Sequence, residues 1–374
     1  MEEMIRIPTV LYRGGTSKAV FLKENDLPKD AARRDRIICA IFGSPDKRQI
    51  DGLGGADLLT SKLAIIGPSS RPDADIDYTF GQVSIDSPTI YYGAVCGNVS
   101  AAVGPYAIDE GFVRATEPLT AVRIHCTNNK RIIEAKVPVE GNRVRVGGDF
   151  AIDGVPGTGA RIELNWSDMV GANTGKLLPT GNAKDILDVE GIGSVTVSII
   201  DVGNPGVFVN AADMGLAGTE SPDVIDADAE LLKKSDAIAR AAMAKINNLA
   251  LLTYVAPSTE YKNYVTGETV SAGRSDFLVR MIFLGKTHKT FAASMINCCG
   301  TAAMIPGTVV NEAAVPGLVN RSSVRMGHPS GIAELEGIEI VKNGSDIDVR
   351  KILVYRTARR LMEGYSFVRS DALE

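Results

Sequence analysis

Two residues of this 374-residue chain carry its clearest chemical signal: Lys62, in Thr60-Ser-Lys62-Leu, and Cys96, in Cys96-Gly-Asn98-Val-Ser-Ala-Ala. The small and apolar residues after Cys96 predict a helix that begins at Gly97. A cysteine at that point has unpaired backbone N–H groups and the positive end of the helix dipole beside it, the setting in which cysteines react as thiolates. An ammonium brought next to such a thiol completes a pair able to take a proton from carbon and return one. Without that context, a cysteine before glycine is a small buried apolar residue and a single lysine at a strand end is a solvated charge. The surrounding elements must therefore bring the two together.

Those elements are readable from periodicity. Residues 5–12 alternate as a strand, run into the turn Arg13-Gly-Gly-Thr-Ser17, and continue as a second strand over 19–22. Residues 29–42 have helical spacing, short strands follow at 63–66, 76–85 and 89–95, and the helix after Cys96 reaches about residue 108. Strands over 120–126, 131–137, 143–146 and 160–166 complete a β-rich first half.

The second half repeats this order. Arg13-Gly-Gly-Thr-Ser-Lys-Ala-Val-Phe-Leu22 matches Val202-Gly-Asn-Pro-Gly-Val-Phe-Val-Asn210, each a glycine turn entering an apolar strand. Leu63-Ala-Ile-Ile-Gly-Pro68 matches Leu252-Thr-Tyr-Val-Ala-Pro257, which sets Lys62 opposite Leu251. Cys96-Gly-Asn98 aligns with Cys299-Gly-Thr301, which predicts a second helix starting at Cys299. The expectation is an α+β fold of two pseudo-symmetric β-rich domains, each wrapping a central helix, with the helix N-termini facing one interdomain cleft suited to anions. Residues 1–182, joined by the tail 350–374, form the first domain and 183–349 the second, with the linker in the loop-rich stretch 171–182.

Composition bounds the function. Net charge is −5 and pI about 5.5, which argues against nucleic-acid or anionic-lipid partners. No apolar run is long enough to span a bilayer, so a cytoplasmic protein is expected. Five cysteines form no disulfide framework, with Cys39, Cys126 and Cys298 read as core residues. His125, His288 and His328 lack paired metal-ligand spacing, so neither metal nor cofactor is expected. Arg13-Gly-Gly-Thr-Ser-Lys18 does not follow the order of a phosphate loop, and Gly52-Leu-Gly-Gly lacks the dinucleotide glycine spacing. Both read as tight turns in which Thr16 and Ser17 could bind a carboxylate; a turn-only role stays open.

Many dispersed motifs then carry a resemblance: Arg13-Gly-Gly-Thr-Ser-Lys18, Gly43-Ser-Pro-Asp46, Gln49-Ile-Asp-Gly-Leu-Gly-Gly-Ala56, Thr60-Ser-Lys62, Cys96-Gly-Asn98, Ala102-Val-Gly-Pro105, Pro179-Thr-Gly-Asn182, Gly300-Thr-Ala-Ala303 and Gly327-His-Pro-Ser-Gly331. Over nearly its whole length the chain resembles the PrpF-type 2-methylaconitate isomerase family. That family includes methylitaconate delta-isomerase and 4-oxalomesaconate tautomerase and has a diaminopimelate-epimerase-like fold. The resemblance implies a cofactor-independent isomerase that shifts a C=C bond by proton transfer in a small unsaturated di- or tricarboxylate, with methylitaconate to 2,3-dimethylmaleate as the leading reading and 2-methylaconitate cis-trans isomerase or 4-oxalomesaconate tautomerase as the alternatives. Lys62 and Cys96 are implied as the acid/base pair.

Cys96 is the favoured acceptor of the proton from carbon, with Lys62 relaying it, and the reverse assignment stays open. Cys299 leaves room for a two-thiol mechanism, as in racemases and epimerases. Arg13, Thr16, Ser17, Ser61, Gly97, Asn98, Gly300, Thr301, Arg325 and Ser330 are the expected substrate contacts. The partner is a small-molecule carboxylate, within a chain that could form a homo-oligomer. A non-catalytic dicarboxylate-binding protein is the remaining alternative.

Overall fold

In the computed structural model, which describes residues 3–343 and 346–373, the alternating N-terminal stretch forms β1 (Met4–Gly14), whose glycine turn hands the chain to β2 (Ser17–Lys23). Next come α1 (Ala31–Phe42), β3 (Lys62–Pro68), β4 (Ile76–Val83), β5 (Ile90–Tyr91), α2 (Gly97–Asp109), β6 (Leu119–Cys126), β7 (Arg131–Glu140), β8 (Arg143–Val144) and β9 (Ile162–Asn165). The chain divides into two units, the first comprising residues 1–151, 157–164 and 356–374. Its sheet runs β9-β7-β6-β4-β3-β2-β1 and closes with the C-terminal strand Ala358–Arg369, which pairs antiparallel with β1.

The two faces of this sheet are covered by different helices. Val20, Leu22, Leu63 and Ile65 point to one side and pack with Ile37, Ile38, Ile41 and Phe42 of α1. On the other side lies α2, buried from Gly97 through Ile108. A helix apolar all round, rich in Gly and Ala, is what a curved sheet can wrap closely. Phe21 stacks on both Tyr12 and Tyr106, tying β1, β2 and α2 together.

The second unit comprises residues 152–156 and 165–355, so the loop-rich stretch 171–182 lies inside it. Its elements are β10 (Asp185–Val189), β11 (Gly193–Val202), β12 (Asn204–Asn210), α3 (Pro222–Ala227), α4 (Ala229–Ile246), β13 (Leu251–Pro257), β14 (Tyr261–Lys262), β15 (Thr269–Val270), β16 (Phe277–Phe283), β17 (Lys286–Thr287), α5 (Ala293–Ala303), α6 (Val309–Ala313), β18 (Val324–His328), β19 (Gly331–Leu335), β20 (Gly337–Asn343) and β21 (Asp346–Arg356). The main sheet runs β10-β11-β12-β13-β16-β18-β19. Leu252, Tyr254, Val207 and Val209 join the core that includes Leu231, Ile238 and Ala242 of α4.

The internal repeat is present in the topology. β2 pairs parallel with β3 and β3 antiparallel with β4; β12 pairs parallel with β13 and β13 antiparallel with β16. Lys62 is paired with Ala19 at the start of β3, and Leu251 with Gly206 at the start of β13. In each unit the glycine turn is bonded to the second residue of the central helix: Asn98 Nδ2 donates to Thr16 Oγ1 at 3.0 Å, and Asn204 Nδ2 donates to Ser294 Oγ at 2.9 Å.

The start of the second central helix differs from expectation. α5 begins at Ala293 with Ala292 as its N-cap, not at Cys299. The helical position matching Cys96 is therefore Ala292, and the Cys96/Cys299 alignment is displaced by seven residues. Seven residues is two helical turns, which returns a side chain to nearly the same face, so the spacing of small and apolar residues fits either register.

Candidate active site

Lys62 and the start of α2 are served by one face of one strand. Tyr78, Phe80 and Gln82 alternate along β4 and point to the same side, and all are buried. At one end Gln82 Oε1 accepts from Lys62 Nζ at 2.7 Å, and the ammonium sits 5.4 Å from the centre of the Phe80 ring. At the other end the Tyr78 hydroxyl approaches the Cys96 carbonyl at 3.5 Å. Burial raises the Tyr78 pKa well above its ordinary value, and the neighbouring Cys96 and Cys126 thiols add to that rise. Lys62 is 5% exposed and Cys96 7%.

Cys96 is the N-cap of α2, and no side chain caps the helix. Its carbonyl takes bonds from the backbone N–H and hydroxyl of Ser100, both at 2.9 Å, which fix the cap. The first N–H groups of α2, at Gly97 and Asn98, open a helix end with no side-chain acceptor, as an anion site requires.

The turn between β1 and β2 is pressed against this helix end. A Cβ on Gly14 would run into the Asn98 carbonyl, and one on Gly15 into the Asn98 side chain; Gly15 also has φ +52. Only glycine meets both demands. Asn98 is held from two directions, donating to Thr16 and accepting from Arg356 Nε at 3.1 Å. Arg13 braces the turn rather than reaching outward, its Nη1 donating to the carbonyls of Gly15 and Thr357, both at 2.9 Å. Ser17 lies on the same sheet face as Ala19, which is paired with Lys62. Its hydroxyl is buried and, among the described residues, has no hydrogen-bond partner, so its bonding capacity is unspent.

Ser61 departs from expectation. It is fully buried just before β3, and its hydroxyl accepts from Gln49 Nε2 at 2.8 Å. Its hydroxyl is thus engaged with Gln49.

The residues expected from the second half lie inside a helix or are paired locally. Cys299 lies in the middle of α5 with 0% exposure, and burial pushes its thiol pKa well above the ordinary value. Gly300 and Thr301 are likewise helix-interior, so their N–H groups are not the open donors of a helix start. A Cβ on Gly300 would lie 2.6 Å from Leu335 Cδ2, so this glycine serves packing. Arg325 and Arg321 both bind the buried carboxylate of Asp276, at 2.9 and 3.0 Å. The Ser330 hydroxyl donates to the Lys289 carbonyl at 2.5 Å. Arg325 and Ser330 are thus paired locally, in contacts unreadable from spacing, while Cys299, Gly300 and Thr301 lie inside α5 and, as a correction to the expected helix start, not at its N-terminus. Phe80, Gln82 and Arg356 carry no signal in the sequence, because phenylalanine, glutamine and arginine gain meaning here only through their neighbours, and Gln49 stands there only as the first residue of a motif.

Cys39 is buried in α1, its pKa raised to about 11 by burial and by Asp35. Among the described residues, no group of three or more His, Cys, Asp or Glu side chains could hold a metal ion, and no helix is long and apolar enough to cross a membrane.

A family model described as PrpF protein matches residues 4–369. The chain is 48% identical to 3-methylitaconate isomerase of Eubacterium barkeri, covering 100% of both proteins. It is similar to the crystal structure of a methylitaconate-delta-isomerase, with 46% identity, a TM-score of 0.78, and coverage of 100% of this chain and 98% of that one. A hydroxyproline epimerase from Agrobacterium vitis shares the fold alone, at 12% identity and a TM-score of 0.55, over 99% of this chain and 94% of the other. The fold is the epimerase-like α+β architecture that the family resemblance implied.

Proposed function

This chain belongs to the PrpF family, and on that premise we propose that it is an isomerase that moves a C=C bond by proton transfer in a small unsaturated dicarboxylate, with 3-methylitaconate as substrate and 2,3-dimethylmaleate as product. The 48% identity over the full length to a 3-methylitaconate isomerase supports the choice of substrate. The observation that carries the chemistry is that one face of β4 reaches both Lys62 and the uncapped helix start at Cys96.

The reaction breaks the C–H bond at the carbon between a carboxylate and the C=C bond. The electron pair left behind spreads over three allylic carbons and into the carboxylate. A proton then adds to the terminal methylene, which becomes a methyl group. Atoms and charge balance without a cofactor. Cys96 accepts the proton from carbon and Lys62 carries it to the far end, or the two exchange these roles. The substrate C–H is weakly acidic, so the charge that develops on the carboxylate must be met by donors already in place. The Gly97 and Asn98 N–H groups, with the Ser17 hydroxyl and Thr16, are suited to that work, and a fixed donor in such a site contributes about 3–4 kcal/mol.

The test is proton NMR of itaconate-, aconitate- and oxaloacetate-type acids with the purified protein in D₂O. Deuterium entering the new methyl group of the 3-methylitaconate product supports this reading. Exchange confined to an aconitate- or oxaloacetate-type acid moves the substrate assignment, and no exchange into any of them removes the isomerase chemistry.

A further inference from the structure

The buried Lys62 ammonium is held by an amide. Among the described residues its partners are Gln82 Oε1 and the Phe80 ring, and no carboxylate lies within ion-pair distance. The direction of the Gln82 amide is fixed: its Nε2 donates to the Ser61 carbonyl at 2.9 Å and to the Leu58 carbonyl at 3.3 Å. Both amide hydrogens are therefore spent on acceptors, and only the oxygen can face the ammonium, which in that form can only donate. A second glutamine stands behind the first. Gln49 Nε2 donates to Ser61 Oγ at 2.8 Å and to Ser44 Oγ at 3.0 Å, while its Oε1 accepts from the Ala56 N–H at 2.8 Å. Gln49 is buried, in a backbone conformation with φ +47.

We propose that Gln82 is a positioning residue for proton transfer: it aims the Lys62 nitrogen and, being neutral, leaves that nitrogen free to gain and lose a proton, while Gln49 holds Gln82 in place through Ser61. A carboxylate at position 82 would pin the ammonium in its charged form, and an apolar residue would leave a buried ammonium without an acceptor. Other titratable and charged groups on this face of the sheet include Tyr12, bonded to Asp109, with Lys23, Tyr78, Cys126, Arg131 and Arg360, and on α2 Cys96 and Tyr106, with Glu110 at its C-cap paired to Lys23 and Arg360. None of them takes the place of Gln82 at the lysine. The inference rests on the acid/base reading of Lys62 given above.

The experiment compares the pH profile of kcat, and KM, in Gln82→Glu, Gln82→Met and wild type. The lysine-dependent limb should move to higher pH in Gln82→Glu and to lower pH in Gln82→Met, with kcat down by about tenfold or more and KM within about threefold. A residue that merely holds the fold would not move one limb in opposite directions. Unmoved limbs, or shifts of the same sign in both variants, overturn the proposal. Should both variants fail to fold, Gln49→Met is read instead. A fall in kcat alone supports the chain of contacts, and an unchanged kcat overturns it. Lys62→Ala separates the two levels: turnover in that variant removes the underlying reading, whereas an inactive Lys62→Ala with unmoved Gln82 profiles removes only the role of Gln82.

Discussion

Gly104 of α2 and Gly300 of α5 occupy the same place in their helices, each seven residues past the first helical residue (104 − 97 and 300 − 293) and each pressed onto a neighbouring strand. A Cβ on Gly104 would lie 2.8 Å from Val137 Cγ2, and one on Gly300 2.6 Å from Leu335 Cδ2. This pair sets the register of the internal repeat. It matches Cys96 with Ala292 and places Cys299 opposite Val103, in the middle of a helix. A mechanism with one thiol on each face of the substrate has no second thiol at a helix start.

Replacing Cys299 with alanine should therefore leave kcat within about threefold of wild type. The cost falls on stability, about 1 kcal/mol for a buried atom removed from a packed helix. Steady-state kinetics and a denaturant melt decide this, and loss of turnover in a folded Cys299→Ala protein would restore the two-thiol mechanism.

Much of the first unit was legible because its signals are local. The alternation of residues 5–12, the glycine turn and the small-residue run after Cys96 each fix an element within a few residues, and they place Lys62 at the start of β3. The second central helix was misjudged because a two-turn shift preserves its apolar face. Arg325 and Ser330 could not be judged alone: the partner of Arg325 is Asp276, 49 residues earlier, and that of Ser330 is a backbone carbonyl 41 residues earlier. Gln82 sits twenty residues from Lys62 and gains its meaning only from strand register.

The turn at Gly15 is a sharper test of the helix end. Gly15→Ala introduces a left-handed alanine and drives its methyl into the Asn98 side chain. The strain should cost about 1–2 kcal/mol, and the displaced Asn98 should raise KM by about tenfold. Thermal melts and substrate titrations measure both, and an unchanged KM would separate Asn98 from substrate binding.

Acid stability of the first unit should depend on Glu110. Its carboxylate meets Arg360 at 2.5 Å and Lys23 at 2.7 Å. Burial alone would raise its pKa, but the hydrogen bonds and charges of Lys23 and Arg360 outweigh that and hold it below the ordinary 4.5. A carboxyl that is a stronger acid when folded stabilises fully above its unfolded pKa, and that contribution is lost as pH falls through the folded value. Tm should therefore drop more steeply below about pH 4.5 in wild type than in Glu110→Gln. Equal slopes would contradict the linkage.

The most direct measurement is turnover and solvent-deuterium incorporation by Lys62→Ala, followed by NMR in D₂O with 3-methylitaconate, alongside circular dichroism to confirm the fold. A folded protein with kcat reduced by at least about a thousandfold, and no deuterium in the product methyl group, is the predicted result. Near-normal isomerisation by the folded variant would show that the proton moves by another route and would contradict the account.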